Sequence, residues 1–226
     1  MLVGSRSLLD SLLQVAVFTL FPRCIAAQTT INGQTFTNGL AIIDAPSPSN
    51  PGHAGSTIPI AVDVSGDGKL APAASLPGSD LSTRYDFLEI YLVSAQTNIN
   101  ITVSAGPSLL TNETGSTVKH LNWPIPTCIP AGDYNLTFYE ASHVNGQGVF
   151  TITPIPIPIS NPSASGQCPD LNSLQPQPQA SNPLSQSPFA SGSTISPSSS
   201  TSGMITAAPT PALALTLTLL FFLSFC

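Results

Sequence analysis

The chain has 226 residues, of which 42% are hydrophobic and only 7% charged, where a soluble domain carries about 25% charged residues. The hydrophobic share is concentrated in two apolar ends, and the middle is rich in Ser, Thr, Asn, Gly and Pro. Five basic against 11 acidic residues leave a net charge of −6. That balance argues against nucleic acid held by phosphate contacts and against electrostatic docking on anionic lipid.

Residues 1–27 have the pattern of a secretory signal peptide. Arg6 supplies the positive start, Leu12 to Phe21 an apolar run, Pro22 a helix break, and Ile25-Ala26-Ala27 a small residue at the cut. Cleavage after Ala27 leaves Gln28 as the new N-terminus. The run is ten residues long and apolar except for Gln14 and Thr19, short of the roughly 20 that a membrane span needs.

From 36 to 159, short alternating segments are separated by Gly, Pro or Asn, without a helical period. Ile58, Ile60, Val62 and Val64 share one strand face. Leu88, Ile90 and Leu92 do the same in Phe87–Val93, as do Ile99, Ile101 and Val103 in Asn98–Ser104, and Tyr134, Leu136 and Phe138 in Asp133–Glu140. With Leu40–Asp44, Val118–Trp123 and Val149–Thr153, about seven strands emerge. Period-2 strands at this spacing predict an all-β fold, a sandwich or barrel. Pro154, Pro156 and Pro158 alternate with Ile155, Ile157 and Ile159, so this stretch can pair along one edge only. Phe150 and Ile152 fall on the proline parity, which predicts a bulge or departure from the sheet near Pro154, or else a polyproline-like exit from the domain.

Trimming both ends leaves two cysteines, Cys128 and Cys168, expected to form one disulfide in an oxidising compartment. The span 28–200 keeps three basic and ten acidic residues, a net charge of −7. Three sequons offer solubility by another route: Asn100, Asn112 and Asn135 each head an N-x-T triplet. Asn100 and Asn135 fall on the outward parity of their strands.

Composition changes at 169. Between Pro169 and Gly203, 11 of 35 residues are Ser and 6 are Pro, with almost no charge. Such a segment predicts a disordered, O-glycosylated stalk over 169–200 behind a β domain over 28–168. The small residues Ser198 to Gly203, a spacer to Pro211 and the apolar run Ala212 to Cys226 have the form of a GPI-attachment signal, removed over 201–226. Ser200 fits best as attachment residue, with Ser199 and Ser202 as alternatives; a single-pass helix is the competing reading of the apolar run.

Catalytic signatures are missing: the chain has no GxSxG, HExxH, Walker loop or GxGxxG. His53, His120 and His143 are far apart in sequence, with no nucleophile or second ligand adjacent. Asp63-Val64-Ser65-Gly66-Asp67-Gly68 matches the first half of a calcium loop, but position 12 is Ala74 where the bidentate Glu belongs. A hydrophilic turn accounts for the same residues. Copper chemistry at a mature N-terminal His is not expected, since cleavage exposes Gln28. No cofactor or metal is expected. Trp123 and Tyr139 are candidates for stacking on sugar; Trp123 has core parity and Tyr139 outward parity.

The run Pro130 to Thr137, followed by Gly148 to Ile152, resembles the last strand pair of an immunoglobulin-like or fibronectin-like sandwich, with Tyr134 at the place of a tyrosine corner. Together with Ile43-Asp44-Ala45-Pro46 and Ala54 to Ile60, the order over about 36–155 is similar to the fungal Ser/Thr-rich GPI-anchored cell-wall family. That family's N-terminal domain is related to yeast proteins of cell-wall β-1,6-glucan synthesis. Where the family has a Trp, this chain reads Val62-Asp63-Val64. The resemblance implies a non-enzymatic role on the outer face of the plasma membrane or in the wall, with wall polysaccharide or other wall glycoproteins as partners and a GPI anchor as the membrane link. The competing expectation is a wall-glucan hydrolase or transferase, which needs two carboxylates about 5–10 Å apart. Asp86 with Glu89, and Asp133 with Glu140, are the best pairs in sequence.

Overall fold

A computed structural model describes residues 29–176, 179–184 and 186–190, which fall in a compact unit spanning Gln28–Gly192. The expected cleavage site at Ala27 and Gln28 and the attachment residue Ser200 lie outside the described residues.

The fold is all-β, in two sheets of five strands. The first sheet has the order β1 (Thr29–Ile31), β2 (Gln34–Phe36), β3 (Ile42–Ala45), β5 (Thr57–Asp63), β8 (Val118–Pro124). The second has the order β4 (Gly52–His53), β10 (Gln147–Ser160), β9 (Gly132–Val144), β6 (Arg84–Ser94), β7 (Ile99–Ser104). All pairings are antiparallel except the two-residue contact of β4 with β10. Among the described residues the helices are single turns, Pro72–Ser75 and Ser108–Thr111, and none is long and apolar enough to cross a membrane.

The alternation of the strands builds the core. Ile58, Ile60 and Val62 of the first sheet and Leu88, Ile90, Leu92, Tyr134, Leu136 and Phe138 of the second belong to one buried cluster. Trp123 joins it, as its parity predicted. Burying a side chain of this size contributes about 1.5–3 kcal/mol. The Tyr134 hydroxyl, at the edge of that cluster, donates to the Pro130 carbonyl at 2.7 Å, closing the turn that leads into β9. Cys128 and Cys168 are disulfide-bonded, with Cα atoms 5.2 Å apart.

Two expectations change. No bulge interrupts β10 at Pro154: its pairing with β9 runs without a register shift from Gln147 opposite Val144 to Ile159 opposite Gly132. The inward residues are Val149, Thr151, Thr153, Ile155, Ile157 and Ile159, so Phe150 and Ile152 share the outer face with the prolines throughout. Two buried threonines replace the apolar residues that hydrophobicity would have put there. The prolines leave the β9 ladder intact because their nitrogens point the other way. The Pro156 carbonyl, on that same side, accepts from the Ser49 amide at 2.7 Å.

The second change concerns 169–190. These residues are not a free stalk over the part described. Their backbone follows the outer surface of the second sheet, and Phe189 is buried in the core cluster. Gly66 makes room for it: its φ of +60° is a backbone conformation that favours glycine, and a Cβ there would strike the Phe189 ring.

Candidate functional site

Three strands of the second sheet turn aromatic residues away from the core. On β6 the register shifts between Tyr85 and Phe87. Tyr85 and Leu88 therefore both face inward, while Phe87, Glu89 and Tyr91 face out. Tyr139 of β9 and Phe150 of β10 join them. Ala141 lies opposite both Phe87 and Phe150, and its small side chain lets the two rings approach to 6.4 Å between centroids. Tyr139 stands edge-on to Tyr91 at 5.4 Å and lies 6.4 Å from Phe150. Such offset and edge-to-face pairs add about 0.5–1.5 kcal/mol beyond their buried area.

The polar groups on this face are fixed. Glu89 accepts the Tyr91 hydroxyl at 3.0 Å and the Gly106 amide at 2.8 Å. Burial raises the Tyr91 phenol above its ordinary value, and the hydrogen bond to Glu89 adds to the rise. Burial raises Tyr139 as well, so both phenols stay protonated at neutral pH and act as donors.

The segment after Cys168 crosses this face. The Asn172 amide donates to the Asn100 carbonyl at 2.8 Å, and its side-chain Nδ2 donates to Thr102 Oγ1 at 2.9 Å. Asn100 Nδ2 donates to the Ser173 carbonyl at 2.9 Å. The Tyr139 hydroxyl donates to Gln179 Oε1, and the Asn182 amide to the Phe150 carbonyl at 2.7 Å. Phe189 then anchors the run, with Lys69 Nζ 5.8 Å from its ring centroid. Between sheet and segment lies a groove of about 440 Å³. Its floor is aromatic and its rim carries the amides of Asn100, Asn172 and Gln179 beside Glu89. Aromatic faces suit the C–H side of a sugar ring, and amides and a carboxylate suit its hydroxyls.

The predicted site residues separate into those on this face and those elsewhere. Tyr139 is at its centre; Trp123 is in the core. Of the three sequons, Asn112 and Asn135 are exposed. Asn100 has the outward parity expected, yet it is only 9% exposed because Asn172 and Ser173 cover it. Phe87, Tyr91 and Phe150 were not singled out by sequence. Their signal was an aromatic residue at successive outward positions of neighbouring strands.

The paired-carboxylate candidates are held by separate partners. Asp86 contacts Arg84 at 3.4 Å and His143 at 2.8 Å, whereas Glu89 is held by Tyr91 and Gly106. Asp133 is exposed. Glu140 is buried in the core, where it accepts the Leu40 amide at 2.6 Å and the Ala41 amide at 3.0 Å. Burial raises its pKa above the ordinary value and those amide bonds partly offset the rise. A Cβ at Gly39 would meet the Glu140 carboxylate, so a larger residue there would push that side chain off its amide donors.

The histidines have closer neighbours than sequence suggested. His120 pairs with Glu113 at 2.9 Å, and the folded chain sets Ser160 against His53 Nδ1. That Ser–His pair sits on an exposed sheet edge, and among the described residues no carboxylate is within hydrogen-bonding distance of the His53 ring to orient it. The calcium-like stretch is a turn: Asp63 accepts from Ser65 N, Ser65 Oγ and Asp67 N. Among the described residues no three His, Cys, Asp or Glu side chains are grouped to hold a metal.

A scan of the chain against protein-family models finds no match, and a search of curated proteins finds none either.

Proposed function

We propose that this chain is a non-enzymatic surface glycoprotein, held by a GPI anchor at the outer leaflet or in the wall, whose domain binds or organises wall polysaccharide. We further propose that its two sheets form an immunoglobulin-like sandwich; the shared core and the Tyr134–Pro130 hydrogen bond support that finer assignment. The observation that carries the functional reading is the aromatic outer face of Phe87, Tyr91, Tyr139 and Phe150, rimmed by Glu89 and side-chain amides. A face of this composition offers stacking surface and hydrogen bonds to a neutral polymer, without the charge needed for an ionic one. The signal-like start, the GPI-like end and the similarity to the fungal wall family support the location.

The test is a pull-down of the secreted chain on insoluble β-glucan and chitin, with released reducing sugar assayed alongside. Retention without sugar release, weakened by Tyr139→Ala, is the expected result. Turnover that disappears on changing one carboxylate replaces this reading with the enzyme. Absence of both retention and turnover leaves a spacer or coat role.

A further inference from the structure

We propose that the Asn100 sequon and the segment 172–176 compete for one place, so that a glycan on Asn100 releases the segment and uncovers the aromatic face. The inference goes beyond the polysaccharide-binding reading and does not depend on it. It rests on which atom does what. N-glycosylation forms a bond from Asn Nδ2 to the anomeric carbon of a lipid-linked oligosaccharide donor. The anomeric carbon–oxygen bond to the pyrophosphate breaks, that oxygen keeps the electron pair, and one Nδ2 proton passes to a base of the transferring enzyme. Asn100 Nδ2, the atom that would carry the sugar, donates to the Ser173 carbonyl at 2.9 Å.

The docked segment covers the atom that the sugar would join. Asn100 is 9% exposed and lines the groove between the sheet and the segment. Its backbone carbonyl is taken by the Asn172 amide, and the third sequon residue, Thr102, receives Asn172 Nδ2. Both ends of the sequon are therefore occupied by one residue of the segment. Asn100 Oδ1 is buried and has no hydrogen-bond partner among the described residues, so docking satisfies the side chain only in part. Asn112 and Asn135 contrast with this: both are exposed, and neither is hydrogen-bonded to the segment. A glycan leaves Asn100 Nδ2 one hydrogen, but the sugar joined to that nitrogen takes the space where Ser173 and Asn172 lie against the strand, so the displacement is steric.

The experiment uses the full secreted chain carrying Asn112→Gln and Asn135→Gln, which leaves Asn100 as the remaining sequon. Glycopeptide mass spectrometry gives its occupancy. Hydrogen exchange is then compared between the glycosylated form and the same chain made without N-glycosylation. The expected result is protection of the Asn172 and Asn182 amides in the unglycosylated chain and at least a tenfold loss of it in the glycosylated one, with β9 and β10 unchanged. If Asn100 is found empty, Phe189→Ser, which loosens the segment's anchor, is expected to raise its occupancy. A glycosylated Asn100 with the segment still protected overturns the proposal. So does an unglycosylated chain whose segment exchanges freely, or an Asn100 that stays empty in the Phe189→Ser chain.

Discussion

The outward faces of the two sheets differ in kind. On the first sheet, Pro59 pairs with Asn122 and Ala61 with His120; these are small, polar or ring-locked residues that water solvates without difficulty. On the second sheet, the corresponding face carries Phe87, Tyr91, Tyr139 and Phe150, and part of the chain's own C-terminal segment lies across it. Both faces belong to a chain whose two sheets already have an apolar inner side, so the core does not require the second face to be aromatic. The segment accounts for part of that aromatic area, and the rest lines the groove between sheet and segment.

The strongest way to break this contrast is to cut the tether beside the segment. The disulfide closes a loop of 40 residues, and Cys128→Ser with Cys168→Ser is expected to cost about 4 kcal/mol in the chain-entropy account. Guanidinium unfolding measures the loss, and hydrogen exchange should show 172–190 opening ahead of the strands. Next comes the anchor. Phe189→Ala removes a buried ring and is expected to cost about 3 kcal/mol of segment docking, read as new proteolytic cleavage within 172–190 while the first sheet stays resistant.

Glu140 sharpens the comparison from inside, because it ties β9 of the second sheet to the loop leading into β3 of the first. Glu140→Gln keeps one acceptor for two amides and is expected to cost about 1–2 kcal/mol in urea unfolding. The sign of the pH dependence follows from the raised pKa. The folded state holds the Glu140 proton more tightly than the unfolded chain does. Its contribution is therefore full below the ordinary value of 4.5 and is lost as pH rises toward the folded value. The Gln variant should flatten that part of the stability profile. The smallest effect compares the faces directly. Tyr139→Ala should weaken retention on polysaccharide by about tenfold, or roughly 1.4 kcal/mol, and His120→Ala on the other face should leave it unchanged.

Much of the architecture is legible in residue alternation. The seven longer strands follow from the period of residues such as Ile58, Ile60 and Val62. The short strands β1, β2 and β4 have too few residues to show a period. In β10 the hydrophobicity of Phe150 and Ile152 pointed to the wrong face, because strand pairing fixes all thirteen partners at once and carries Thr151 and Thr153 into the interior. The site was half legible. Tyr139 could be placed outward from its neighbours, but the groove also needs a segment whose composition alone says disorder. Its one aromatic residue, Phe189, was the available signal, and a single buried ring among Ser, Pro and Gln is too sparse to alter a compositional reading. Glu140 was legible only as a strand residue, since nothing local shows that two amides a hundred residues earlier converge on it.

The alternating prolines of β10 have a further consequence. Wherever copies of a β domain meet at high local density, an open strand edge is an invitation to zip with its neighbour. Pro154, Pro156 and Pro158 strip amide hydrogens from the side of β10 that turns away from β9, and Ser49 already occupies the Pro156 carbonyl there. Two such edges brought together have carbonyls facing carbonyls and no donors to join them. Along this stretch of edge, copies of the domain can stand side by side without extending the second sheet from one to the next.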